Sequence, residues 1–121
     1  MSTVLIIDDS PTELHLFQSM LEKNGFDTLV ADSGEEGLRQ AKQARPHCIL
    51  MDVVMPGMNG FQATRKLSKD PDTSDIPVII ITTKDQETDK IWGMRQGAVE
   101  YLVKPVSEKQ LVEMINTVMA A

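Results

Sequence analysis

The chain has 121 residues, a formal net charge of −6, 41% hydrophobic and 25% charged residues, and one cysteine. This length suits one ordinary domain that can bury a core without disulfides or structural metals. The acidic balance excludes an electrostatic grip on nucleic acid or on an anionic membrane.

Short apolar runs alternate with longer amphipathic stretches. The runs are Val4-Leu5-Ile6-Ile7, Thr28-Leu29-Val30-Ala31, Cys48-Ile49-Leu50-Met51, Val78-Ile79-Ile80-Ile81 and Tyr101-Leu102-Val103. Continuous apolar runs of this length fit strands buried on both faces of a parallel sheet. Cys48 lies inside one of them and reads as a buried structural thiol.

The first intervening stretch opens with Ser10-Pro11-Thr12-Glu13, a capping box with proline at the first helical position. Phe17, Met20 and Leu21 form its apolar stripe, and Gly25 after Asn24 predicts a left-handed end. A second box, Ser33-Gly34-Glu35-Glu36, starts the next helix. The third helix is expected from Gly60 to about Ser68, stopped by the Asp70-Pro71-Asp72 turn. Gly97 is placed to end the fourth helix, with Trp92, beside Ile91, at the core boundary. Ser107-Glu108-Lys109-Gln110 opens the fifth, with Leu111, Ile115 and Val118 on one face. His15 and His47 lack ligand spacing with any partner and read as solvated or helix-face residues.

Five strand–helix pairs predict an α/β fold, a doubly wound parallel sheet with helices on both faces. In such open sheets the binding site lies at the carboxyl ends of the strands. There the first run ends in Asp8-Asp9, the third in Asp52, the fourth in Thr82-Thr83 and the fifth in Lys104-Pro105. Asp32 follows the second run, which is expected at a sheet edge, so it is left out. Taken singly, these residues have plainer readings. Asp8 and Asp9 suit the positive end of the first helix, Asp52 suits a turn, Thr82 and Thr83 are ordinary strand residues, and Lys104-Pro105 can end a strand. Their joint occurrence on one edge favours chemistry. Three carboxylates close together repel and call for a counter-charge. Oxygen-rich, carboxylate-lined pockets suit magnesium, and Lys104 supplies a second positive charge. Phosphoryl transfer needs positioning and charge stabilisation, and a carboxylate such as Asp52 can accept the phosphoryl group as an acyl phosphate.

Ile7-Asp8-Asp9-Ser10, the segment from Met51 to Gly60, Ile81-Thr82-Thr83 and Val103-Lys104-Pro105 together resemble the response-regulator receiver family over the whole chain. The resemblance implies a five-stranded sheet of order 2-1-3-4-5, the flavodoxin-like arrangement. It implies Asp52 as phosphoacceptor, with Asp9, Asp52 and the Val54 backbone carbonyl as magnesium ligands. Asp8 would act through water or directly, and manganese would be a substitute metal. It further implies that Thr82 hydrogen-bonds a phosphoryl oxygen and Lys104 pairs with another, that Tyr101 swings inward when Thr82 moves, and that Lys104-Pro105 is a cis peptide. Thr83 stands where many members carry Ala or Gly, so a crowded phosphoryl site and slower autodephosphorylation are expected. Segments such as Gly60-Phe61-Gln62-Ala63-Thr64-Arg65 and Trp92-Gly93 resemble the stand-alone receivers of chemotaxis-like systems that govern type IV pili and twitching motility. A chemotaxis-type histidine kinase is the implied phosphodonor.

A single receiver domain over 1–121 is expected, a phosphoacceptor switch rather than an enzyme, with no output domain after it. Output then falls to protein contact through Lys90, Tyr101 and Met114, or the domain serves as a phosphate sink or a phosphorylation-independent module. The sole tryptophan, Trp92, would report phosphorylation by fluorescence. A monomer or weak dimer is expected. The N-terminus lacks a signal-peptide pattern and no run reaches the ~18 apolar residues of a membrane span, so a cytoplasmic location without membrane insertion is expected. An aspartyl-nucleophile phosphatase would want a second Asp two residues after Asp52, where this chain has Val54.

Overall fold

The computed structural model describes residues 2–120. Met1 and Ala121, the ends of the expected domain, lie outside the described residues. The elements run β1 (Thr3–Ile7), α1 (Pro11–Lys23), β2 (Asp27–Ala31), α2 (Gly34–Ala44), β3 (Cys48–Met51), α3 (Gly60–Lys69), β4 (Val78–Thr82), α4 (Glu87–Arg95), β5 (Glu100–Val103) and α5 (Glu108–Ala120). The strands form one parallel sheet in the order β2-β1-β3-β4-β5, with registers such as Leu5↔Ile49 and Leu50↔Ile79. The fold is the expected doubly wound one.

Local chemistry explains the boundaries. The Ser10 hydroxyl accepts the Glu13 N–H at 3.3 Å, and the Ser33 hydroxyl accepts the Glu36 N–H at 3.1 Å, so both boxes supply caps. A reciprocal capping box that the sequence reading missed starts α3, where Asn59 and Gln62 exchange side-chain-to-backbone bonds. Gly25 has φ of +87° and Gly97 of +114°, the left-handed ends that were expected. Arg45, with φ of 47°, ends α2 in the same region without being glycine. The Arg45–Pro46 pair accounts for the helix stopping there, because the residue before proline is steered away from continuing a helix.

Alternation along the strands splits the core in two. Leu5, Ile7, Ile49, Met51 and Ile80 pack on one face against Ala41, Phe61, Ala63 and Leu67 of α2 and α3. On the other face, Val4, Ile6, Leu50, Ile79 and Ile81 pack against Phe17, Leu21, Leu111 and Ile115 of α1 and α5. Each fully buried Leu or Ile contributes about 2 kcal/mol of transfer free energy. Burial on both faces holds for β3 and β4, and for β1 beyond its first residue. It does not hold for β2 and β5, which are half-exposed because they are the sheet edges. Cys48 is fully buried, and that burial pushes its thiol up to about 12, as befits an inert core residue.

α4 departs from expectation. Its only buried residue is Gly93, while Ile91 is 46% and Trp92 52% exposed. The helix sits close to the sheet through that glycine, where an added Cβ would meet Ile80 Cδ1 at 2.8 Å and the Tyr101 ring at 3.1 Å. A helix seated on glycine has no need to bury its large apolar side chains, so Trp92 is further into solvent than a boundary position.

Gly60 ties α3 to the end of β3, donating its N–H to the Val53 carbonyl at 2.9 Å. A Cβ there would lie 1.9 Å from the Asp52 carbonyl oxygen. Gly60→Ala should therefore destabilise by about 2 kcal/mol or more, although alanine is the better helix former. Urea unfolding checks this, and an unchanged or raised midpoint would remove the close-approach argument.

Candidate functional site

Asp8, Asp52 and Lys104 each follow directly on a strand and keep its ladder for one more bond. The Asp8 N–H donates to the Ala31 carbonyl at 3.1 Å, the Asp52 N–H to Ile7 at 2.9 Å and the Lys104 N–H to Thr82 at 2.9 Å. Their side chains thus leave rigid backbone, which is what a precise constellation requires. Ligand oxygens of Asp8, Asp9 and Asp52 all lie within 4.8 Å of one another. Asp8 is 2% and Asp52 8% exposed, while Asp9 faces solvent.

One ammonium answers these charges. Lys104 Nζ lies 2.9 Å from Asp8 Oδ2, 3.3 Å from Glu13 Oε1 and 3.8 Å from Asp52 Oδ2. It also sits 5.9 Å from the centre of the Phe17 ring, within cation–π range. The remaining oxygens of the buried pair accept backbone donors: Asp8 Oδ1 takes the Ser10 N–H at 2.9 Å, and Asp52 Oδ1 takes the Val53 N–H at 2.8 Å. Burial, and next the charge of Asp8, raise the Asp52 carboxyl above the usual range; Lys104 and the Val53 N–H oppose them. For Lys104, burial alone would lower the ammonium. The Asp8 hydrogen bond and the charges of Asp52, Asp8 and Glu13 outweigh it, and the net direction is upward.

Thr82 is fully buried, and its hydroxyl oxygen accepts the Lys84 N–H at 3.4 Å. Tyr101 is half-buried and donates its hydroxyl to the Lys84 carbonyl at 2.8 Å. The backbone of Lys84, in the β4–α4 connection, is therefore held at its N–H by Thr82 and at its carbonyl by Tyr101. Burial and then the charges of Asp89, Asp85 and Asp52 push the Tyr101 phenol up to about 12, so it stays a donor.

The other expected residues are spread around this centre. Lys104-Pro105 is a cis peptide. Thr83 is exposed and lines a groove of about 250 Å³ with Glu13, Leu16, Phe17, Lys104 and Pro105. The Val54 side chain is 58% exposed. Lys90 is half-buried on α4, and Met114 is half-buried on α5, packed against the α1–α5 core. Asp32 is exposed at the end of β2 and is not part of the carboxylate group. Glu13 is a participant that the sequence assigns only to a helix cap, since its position three residues after Ser10 points it to that cap rather than to Lys104.

Comparison with known proteins agrees with this geometry. The profile of the response regulator receiver domain matches residues 4–116. The chain belongs to that family. Along 120 residues the receiver is 59% identical to protein PilH of Pseudomonas aeruginosa, covering 99% of each chain. Among solved structures, it is similar to the Vibrio cholerae chemotaxis protein CheY4 at a TM-score of 0.92, with 30% identity and 98% of each chain covered. A receiver domain protein from Clostridium thermocellum gives 0.91 at 33% identity, covering 99% of this chain and 95% of that one. Receivers are phosphoacceptor switches that take phosphoryl groups from histidine kinases, act on downstream partners and bind magnesium at an acidic pocket. No helix among the described residues is long and apolar enough to cross a membrane.

The raised Asp52 value has a consequence for stability. A carboxyl whose value rises on folding favours the fold while protonated, and that benefit is lost as pH rises from the ordinary aspartate range through the raised folded value. Without divalent cations, Asp52→Asn should therefore stabilise the receiver at neutral pH by on the order of 1 kcal/mol, with the gain shrinking on acidification. Lys104 works in the opposite sense, since its raised value gives stability that is present at neutral pH and lost only above the ordinary lysine range. Lys104→Met should cost about 3 kcal/mol, because it leaves the buried carboxylates uncompensated. Denaturant melts from acid to neutral pH check the sign for Asp52, and melts at neutral pH against those above about pH 10 check the sign for Lys104.

Proposed function

We propose that this receiver is a phosphorelay switch that accepts a phosphoryl group on Asp52, with magnesium held by Asp9, Asp52 and the Val54 backbone carbonyl. The observation that carries this reading is the close set of Asp8, Asp9 and Asp52 facing the single ammonium of Lys104. The donors fit the metal: all are oxygens, the carboxylates outnumber the ammonium, and hard divalent cations of magnesium's size take such ligands. Asp8, both of whose oxygens already accept protein N–H groups, contributes through water and by orienting Lys104. Bound magnesium supplies positive charge that offsets the carboxylates and the incoming phosphoryl oxygens, and manganese is expected to substitute.

The chain's own residues do the rest. Burial and the Asp8 charge keep Asp52 poor in water and rich in electron density. Val53 N–H orients one of its oxygens and leaves the other toward Lys104. Lys104 pairs with a phosphoryl oxygen, and the Thr82 hydroxyl turns from the Lys84 N–H to another. That turn frees the N–H of Lys84, the residue whose carbonyl Tyr101 holds, which gives the β4–α4 connection a way to pass the change to the face around Lys90, Tyr101 and Met114. Likeness to PilH supports a place in a chemotaxis-like system controlling type IV pili and twitching motility, with a chemotaxis-type histidine kinase as phosphodonor. The domain would span 1–121 and signal by protein contact in the cytoplasm.

Incubating wild type and Asp52→Asn with acetyl phosphate and magnesium, then weighing intact protein, tests the acceptor. A labile gain of about one phosphoryl group on the wild type alone is expected. An equal gain on both would move the acceptor elsewhere. Millimolar magnesium should raise the melting temperature of the wild type by relieving carboxylate repulsion, and an unchanged melt would argue against the pocket. Thr83 lines the groove beside Lys104; on the reading that its branched side chain crowds the phosphoryl site, Thr83→Ala should lose its phosphoryl group several-fold faster, on the order of 1 kcal/mol in barrier, and equal decay rates would count against crowding.

A further inference from the structure

Glu13 occupies the third helical position of α1 after its Ser10 cap. A glutamate there ordinarily turns back to the cap's own N–H. In this chain that N–H is already taken, donating to Asp8 Oδ1 at 2.9 Å. The Glu13 carboxylate turns instead to Lys104, at 3.3 Å, closer than Asp52 at 3.8 Å. An ammonium has three protons to share, and here it meets three carboxylates: Asp8, Glu13 and Asp52. Glu13 therefore takes the second-shortest contact, ahead of the residue where charge must be met. Its side chain is 29% exposed while that of Lys104 is 10% exposed, so the pair is anchored on one side and free to open on the other.

We infer that Glu13 is a positioning residue that tethers the Lys104 ammonium to α1 and thereby slows uptake of a phosphoryl group at Asp52. The inference rests on Asp52 being the acceptor, as proposed above. With acetyl phosphate, an Asp52 oxygen bonds to phosphorus while the bond from phosphorus to the acetate oxygen breaks, and acetate departs with the electron pair. No proton moves, and Lys104 keeps all of its own. The incoming phosphoryl group is anionic and needs that ammonium, so Glu13 opposes its uptake by occupying Lys104.

Two variants separate contact from charge. Glu13→Gln keeps the length and loses the charge; Glu13→Asp keeps the charge and falls short by one methylene. At saturating magnesium with acetyl phosphate, both should gain mass faster than wild type, by about threefold to tenfold. Their melting temperatures should stay near that of the wild type. In a Lys104→Met background, Glu13→Gln should add nothing, because its effect runs through the ammonium; the single variants decide the matter where that background is too slow to time. A Glu13→Gln rate equal to wild type overturns the inference. So does Glu13→Asp at the wild-type rate beside a fast Glu13→Gln, which would mean charge at a distance, and so does an undiminished acceleration without Lys104. A wild type that takes up no phosphoryl group overturns the acceptor reading and this inference together, whereas a phosphorylated wild type with an unchanged Glu13→Gln overturns this one alone.

Discussion

Like charges held together by a rigid sheet, with one ammonium between them, are the constraint on which the site depends. Asp8 and Asp52 extend β1 and β3, which pair directly in the sheet, so their side chains have little freedom to move apart. The cost of crowding them is met partly by Lys104 and partly by backbone donors, which is how buried carboxylates are normally satisfied. What remains is an excess of negative charge facing solvent through Asp9. A pocket in that condition favours any ligand that brings positive charge.

The same constraint explains why the surrounding core is so apolar. β3 and β4 are buried along their whole length, and β1 is buried after Thr3. Transfer of these side chains out of water supplies the stability against which the charge repulsion is set. Sites of this kind commonly break a local rule that the rest of the fold can tolerate. Here the broken rule is the burial of two carboxylates against one ammonium, and the tolerance comes from aliphatic layers on both faces of the sheet.

From this centre two routes lead outward. Thr82 and Tyr101 meet at the backbone of Lys84, one at its N–H and the other at its carbonyl, which links the pocket to α4 and the β5 edge. Glu13 links the pocket to α1 through Lys104. α4 is lightly attached, resting on Gly93 with Ile91 and Trp92 in solvent, and a lightly attached element is where a small local change is most readily expressed. By contrast, α2 and α3 are keyed to the sheet by Ala41, Ala63 and Leu67, all of them buried.

Much of this was legible in the chain. Apolar runs of strand length, capping serines at Ser10 and Ser33, and glycines at Gly25 and Gly97 specify five strand–helix units, because each depends only on near neighbours along the sequence. The parallel-sheet rule then places Asp8, Asp9, Asp52, Thr82 and Lys104 at one edge, since alternating units leave few topologies open. Edge exposure of β2 and β5, the seating of α4 on Gly93 and the solvent exposure of Trp92 were not legible, because they depend on which surface lies opposite. Nor was the partner of Glu13: the local pattern pointed it at its own cap, and only the packed structure, with Asp8 already holding the Ser10 N–H and Lys104 within reach, sends that carboxylate across to β5. Local propensity and pattern thus determined the elements and the membership of the site, whereas the pairing of its charges was decided by tertiary packing, since ion pairs form between groups that the fold, not the chain order, brings within a few ångströms.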